Sequence, residues 1–234
     1  MKEIIGDATI YRGDAIELMP SIKADLIVAD PPYLLTSGGA TTGNFGGCFD
    51  TDNYRNDGKI IECNVDWKDF MPLFYQSLND DSHCYVMCNN RHVGNMLSSA
   101  KDVGFGFHNL LVWDKISPTP NRWYMKNLEF IGFFYKGKAK YINNCGSKQL
   151  IKCQQVDQSD HPTEKPVSLM QHYIENSSNI GDVVFDPFCG SGTTGVASIK
   201  SNRKFIGIEI TQKWFDVTCR RIEKETKQNE LFNR

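Results

Sequence analysis

Asp182-Val183-Val184-Phe185-Asp186-Pro187-Phe188-Cys189-Gly190-Ser191-Gly192-Thr193-Thr194-Gly195 decides how the rest of the chain is read. Its first residues form a short β-branched and aromatic run of the kind buried on both faces of a parallel sheet. Gly190, Gly192 and Gly195 then match G-x-G-x-x-G and a helical pattern follows, so the predicted unit is strand, glycine turn, helix. That spacing alone suits a dinucleotide, whose pyrophosphate sits on a helix amino terminus. Two neighbours disfavour it. Asp186 sets a carboxylate where the phosphates would lie, and Pro187 withholds an N–H where an anion wants donors. A P-loop is excluded because no Gly-Lys-Ser/Thr follows. A cationic ligand tolerates the same carboxylate. About twenty residues on, Phe205-Ile206-Gly207-Ile208-Glu209 predicts a strand ending in a carboxylate, the position that accepts ribose hydroxyls in adenosine-binding α/β folds.

The same alternation extends outward in both directions. Strands are predicted near Thr9–Tyr11, Leu26–Ala29, Tyr85–Met87, His108–Trp113, Phe130–Tyr135, Val183–Phe185 and Phe205–Gly207. Helices are predicted near Ala15–Met19, Trp67–Leu78, His92–Val103, Pro166–Asn176, Thr193–Lys200 and Gln212–Lys227, with Pro166 in a first turn and Thr211 placed to cap. Short strands between helices predict a mainly parallel sheet covered on both faces. Two stretches lack periodicity. Thr36 to Asn64 carries six glycines among Asn, Asp and Thr, so residues 34–64 are expected to form a flexible loop over an active site. Lys138 to His161 is the other.

A second chemical signature ends the strand near Leu26–Ala29: Asp30-Pro31-Pro32-Tyr33. Asp before Pro is pushed into extended geometry, and two prolines stiffen the backbone while removing its donors. What remains is a rigid set of acceptors, the Asp30 carboxylate and the carbonyls beside it. Such a set suits a substrate with two N–H donors, which describes the exocyclic amino group of adenine or cytosine. Holding both hydrogens localises the nitrogen lone pair, and preorganised negative charge stabilises the positive charge that develops as nitrogen attacks. Tyr33 offers a face for a base taken out of its stack.

With 234 residues, 40% hydrophobic and 12% aromatic, the chain can bury one core. Met1 to Asp7 contain no apolar targeting region and no run reaches membrane-spanning length, so a cytoplasmic protein without a membrane partner is expected. Eight cysteines lack a C-x-x-C pair and five histidines lack ligand spacing, so no metal is expected. The formal charge of −2 hides a division. Residues 112–152 hold eight Lys/Arg against two Asp/Glu, whereas residues 1–111 hold eight against fifteen. Interleaved with Trp113, Trp123, Tyr124, Phe130 and Tyr141, this basic island suits phosphate contact with stacking groups.

Together these residues resemble the amino-methylating DNA methyltransferases. Asp-Pro-Pro-Tyr comes first and Asp-Pro-Phe-Cys-Gly-Ser-Gly-Thr-Thr near the end, the permuted order of the β class, and the resemblance spans nearly the whole chain. It implies a class I S-adenosylmethionine-dependent methyltransferase fold, α/β with a mixed seven-stranded sheet and helices on both faces, as one domain over residues 1–234. The catalytic residues it implies are Asp30, Pro31, Pro32 and Tyr33. The cofactor-binding residues are Asp14, Thr163, Lys165, Asp186, Pro187, Phe188, Gly190, Ser191, Gly192, Thr193 and Glu209, with Asp14 beside the adenine and Thr163 and Lys165 at the methionine end. Residues 114–161 would form a hairpin and a small target-recognition lobe, with Trp113-Asp114-Lys115 and the Glu129 strand as the hairpin. The implied substrate is adenine N6 in double-stranded DNA, because members beginning the motif with Asp act mostly on adenine. Cytosine N4 and a non-catalytic DNA-binding protein retaining the fold stay open as alternatives. RNA or protein-glutamine methylation is disfavoured by motif order. The resemblance also places the protein in a bacterial cell or a phage, within restriction-modification, and dimers are common in this class.

Overall fold

The computed structural model describes residues 1–32, 66–119, 124–156 and 164–232. The expected loop 34–64 lies wholly outside them, as do Tyr33, Trp123, His161 and Thr163. Fifteen elements follow in chain order: β1 (Lys2–Ile5), β2 (Ala8–Arg12), α1 (Ala15–Leu18), β3 (Ala24–Ala29), α2 (Trp67–Ser77), β4 (Leu78–Cys88), α3 (Val93–Asp102), β5 (Gly106–Thr119), β6 (Lys126–Lys136), β7 (Leu150–Lys152), α4 (Val167–Ser177), β8 (Val183–Asp186), α5 (Thr193–Lys200), β9 (Lys204–Glu209) and α6 (Gln212–Phe232).

β3 organises the molecule. Successive side chains of a strand point to opposite faces, and here both faces are apolar. Ile27 and Ala29 enter a core with residues of α1, α2 and α3, while Leu26 and Val28 enter a second core with α4 and Ala197 of α5. Leu26, Ile27 and Val28 are fully buried. A third core joins α5 and α6 to Ala8 and Ile10 of β2. The sheet is therefore covered on both sides, as the alternation predicts.

Among the described residues the sheet has nine strands in the order β1-β2-β9-β8-β3-β4-β6-β5-β7. This corrects the expected seven. The seven inner strands are those predicted, and the two added ones are edges. β1 pairs antiparallel with β2, and β7, three residues long, pairs parallel with β5 inside the stretch read as structureless. β6 runs antiparallel to both neighbours, and β2, β9, β8, β3 and β4 are parallel.

Chain order reverses between β8 and β3. β3 continues outward to β4, whereas β8 continues to β9 on the other side, so their carboxyl ends flank a topological switch point where such sheets keep ligands. Leu26 pairs Val184 and Ile27 pairs Phe185, so the strands near 28 and 184 are side by side despite their separation in sequence. No helix among the described residues is long and apolar enough to cross a membrane.

Candidate active site

Four consecutive strands, β2, β9, β8 and β3, end on one edge of the sheet, and each delivers a carboxylate there or just beyond: Asp14, Glu209, Asp186 and Asp30. Gly13 N–H donates to the Glu209 carbonyl at 3.0 Å, which ties the β2 exit to β9. Asp14 is exposed and caps α1, accepting from Ile16 N–H at 2.8 Å.

The glycine turn is built around two of these carboxylates. Gly190 and Gly192 hold φ at +50° and +82°, a region that only glycine visits at low cost. The Gly190 N–H donates to Glu209 Oε2 at 3.1 Å, and Thr211 donates to Oε1 through its N–H at 2.8 Å and its hydroxyl at 2.7 Å. A carboxylate has about four acceptor positions, so Glu209 keeps one on Oε2. Asp186 is committed to the turn, accepting from the Thr194 hydroxyl at 2.6 Å and from Phe188 N–H at 3.0 Å. Burial pushes its carboxyl up to about 7; those two hydrogen bonds offset part of the rise, and Asp30 and Glu209 add to it. Pro187 is buried beside it, and Phe188, half-buried, meets Phe70 edge-on with centroids 5.7 Å apart.

The turn's serine is engaged from α6, whereas its threonine hydroxyl is not engaged among the described residues. The Ser191 hydroxyl and carbonyl both accept from Arg221 Nη1 of α6 at 2.9 Å, and Arg221 Nη2 holds Glu164 at 2.7 Å. Thr193 Oγ1 is buried with no hydrogen-bond partner among the described residues.

At the β3 end, Pro31 is buried and Asp30 keeps a quarter of its side chain exposed. Asp30 Oδ1 is a second buried atom without a hydrogen-bond partner among the described residues, and Oδ2 accepts from the Lys165 ammonium. Lys165 also lies 3.6 Å from Glu129 Oε2, and Glu129 Oε1 holds Lys115 at 2.5 Å. Burial pushes the Asp30 carboxyl up, an effect that Lys165 only partly offsets. Burial alone would lower the Lys165 ammonium, but Asp30 and Glu129 outweigh it, so its pKa stands above that of an ordinary lysine. Glu129 is held below the usual carboxylate range because Lys165 and Lys115 outweigh its burial.

The structure thus gathers Asp14, Asp30, Pro31, Lys165, Asp186 to Gly190, Gly192, Thr193 and Glu209 around one edge. Tyr33 and Thr163 fall outside the described residues. Arg221 went unpredicted, and Glu129 was named only as part of the hairpin strand, not as a site residue. The only signal for Glu129 was a lone acid ahead of an apolar run, Phe130-Ile131-Gly132-Phe133-Phe134. A polar cavity of about 210 Å³ lined by Asp25, His83 and Asp182 lies at the opposite edge, where β3 and β8 begin, away from these groups.

The basic island is not one surface. Lys126, with exposed Tyr124 and Met125, and Lys152 of β7 lie toward the Asp30 edge, since Cys88 pairs Phe130 and Asp114 pairs Lys152. Lys138 and Lys140 follow β6 at the far edge, where Lys136 pairs Ser82. Lys115 and Lys136 face inward in ion pairs with Glu129 and Asp80.

A family model described as DNA methylase matches residues 24–220. The type II methyltransferase M.HinfI of Haemophilus influenzae is 31% identical over 98% of this chain and 72% of its own length. M2.MboI of Moraxella bovis is 28% identical over 93% of this chain and 88% of its own length. Among solved structures, the M1.HpyAVI–SAM complex is 26% identical with a TM-score of 0.71, covering 92% of this chain and 99% of that one. The PvuII DNA methyltransferase (cytosine-N4-specific), 18% identical, shares the fold with a TM-score of 0.71 over 98% of this chain and 93% of its own.

Proposed function

Because the chain belongs to the N6/N4 DNA methylase family, we propose that it transfers a methyl group from S-adenosylmethionine to N6 of an adenine flipped out of double-stranded DNA. The observation that carries this reading is the juxtaposition, at one switch point, of the buried Asp30 Oδ1 with a glycine turn that holds Thr193 Oγ1, both without a hydrogen-bond partner among the described residues. Glu129 Oε2 also lacks a hydrogen bond among the described residues but has the Lys165 ammonium at 3.6 Å. Asp30 Oδ1 and Thr193 Oγ1 instead fit two ligands, an amino donor at Asp30 and a polar cofactor group at the turn, because buried polar atoms as a rule find partners.

S-adenosylmethionine, when bound, supplies an electrophilic methyl group on a sulfonium. The chain's residues do the rest. Asp186 shapes the turn, Pro187 and Phe188 wall it, and Gly190, Ser191 and Gly192 let the backbone approach. Glu209 offers its remaining acceptor position to a ribose hydroxyl, and Asp14 is assigned to the cofactor's adenine. Asp30 Oδ1 and the Pro31 carbonyl accept the two amino hydrogens, which localises the nitrogen lone pair and stabilises the charge that develops on it. Pro32 stiffens this corner, Tyr33 stacks the base, and Thr163 is assigned to the cofactor's methionine end. Lys126, Lys152 and the exposed Tyr124 face the duplex along the same edge.

Adenine is preferred over cytosine on the motif's leading Asp. The test is transfer of labelled methyl to unmethylated double-stranded DNA with nucleoside analysis. N6-methyladenine is expected, N4-methylcytosine would change the target, and no label despite cofactor binding would leave a non-catalytic role. An Asp30→Ala variant should bind cofactor normally and lose roughly 10²-fold or more in transfer rate.

A further inference from the structure

Glu164 and Lys165 are neighbours that reach in opposite directions. Glu164 goes to Arg221, which in turn holds Ser191 of the glycine turn, while Lys165, 7% exposed, goes to the carboxylate on which the proposed chemistry depends. Beyond it the charges alternate: Asp30 after β3, Lys165 before α4, Glu129 on β6 and Lys115 on β5. An ammonium beside Asp30 competes with a substrate amino group for the same carboxylate. The geometry resolves this competition, because Lys165 binds Oδ2 and Oδ1 has no hydrogen-bond partner among the described residues. A buried carboxylate with no countercharge would instead take up a proton and lose its acceptor character.

We propose that Lys165 and Glu129 are positioning residues for Asp30: Lys165 anchors Oδ2 and keeps the carboxylate ionised with Oδ1 turned to the substrate, and Glu129 shares the ammonium so that it does not cancel that charge. This rests on the methyltransferase reading, and it differs from the resemblance, which assigns Lys165 to the cofactor. The charged or titratable groups that act with Asp30 are Lys165, Glu129 and Lys115, with Cys88 of β4 and Asp186 of β8. Signs follow from these. Without Lys165, Asp30 titrates higher; without the Glu129 charge, it titrates lower.

Single-turnover methyl transfer at saturating cofactor, followed from about pH 5 to pH 9, reads the acidic limb set by Asp30. Carbon-13 NMR of labelled aspartates, assigned with Asp30→Asn, reads the same titration without turnover. Lys165→Met should raise that limb by about one pH unit or more, and so slow transfer about tenfold at pH values below it. Glu129→Gln should lower it, and Lys165→Arg should return it toward wild type. Calorimetry should show cofactor dissociation constants within about threefold of wild type. Tenfold weaker cofactor binding in Lys165→Met with an unmoved limb would overturn the proposal, and so would shifts of the same sign in Lys165→Met and Glu129→Gln. A wild type that methylates no DNA would instead sink the functional reading, and the NMR titration would still decide this one.

Discussion

Gly192 sits at φ +82°, and a Cβ there would come within 2.8 Å of Thr218 Cγ2 and 2.9 Å of its Oγ1. Left-handed backbone costs an L-residue about 1–2 kcal/mol, and the collision with Thr218 adds to it. Gly192→Ala should therefore lower the urea midpoint without changing the slope, and should weaken cofactor binding because the turn has to shift. Residue identities in this turn were legible from spacing alone, since G-x-G-x-x-G after a strand has few physical solutions. Partners were not. Whether Ser191 faces a ligand or Arg221, and whether Lys165 meets a cofactor or Asp30, depends on contacts across 30 and 135 residues that no local pattern encodes. Thr163 and Tyr33 stay at the level of the resemblance.

Elements were read well where burial is two-sided. The seven inner strands follow from apolar runs, and the six helices from 3.6-residue periodicity, because each must fill a core face. β1 was missed because its residues are exposed or half-exposed at the sheet's edge, and β7 because three residues carry no period. The charge island misled for a related reason: counting along the chain ignores that β6 carries its two ends to opposite edges. The consequence is specific to the β5–β6 hairpin. Lys126→Ala with Lys152→Ala, on the Asp30 edge, should reduce the salt dependence of duplex binding by about two in log–log slope. Lys138→Ala with Lys140→Ala, at the far edge, should leave it unchanged. Filter binding across a salt series, with cofactor affinity as the control, separates the two pairs.

Over the whole molecule, two buried groups far apart bias stability in opposite directions with pH. Burial holds His83 down at about 4, so protonation favours the unfolded chain, and its contribution, complete above the ordinary 6.5, is lost as pH falls toward 4. Burial holds Asp186 up at about 7, so its contribution is complete below 3.8 and is lost as pH rises toward 7. Between about 4 and 6.5 the two slopes oppose, each at most about 1.4 kcal/mol per pH unit. Asp186→Asn removes one of them, so urea unfolding of that variant should fall off with acid more steeply than wild type. The same long-range architecture governs synthesis. β3 leaves the ribosome well before β8: it acquires β4, with Leu26 beside His83, yet its other edge waits for β8, and the Val183 N–H that reaches Asp25 Oδ2 at 2.9 Å is 158 residues downstream. Until β8 emerges the central strand is an open, apolar edge, the kind of surface that chaperones shield and that pairs wrongly when crowded. Yield in a cell should therefore respond to elongation rate and chaperone supply more than the finished sheet would suggest.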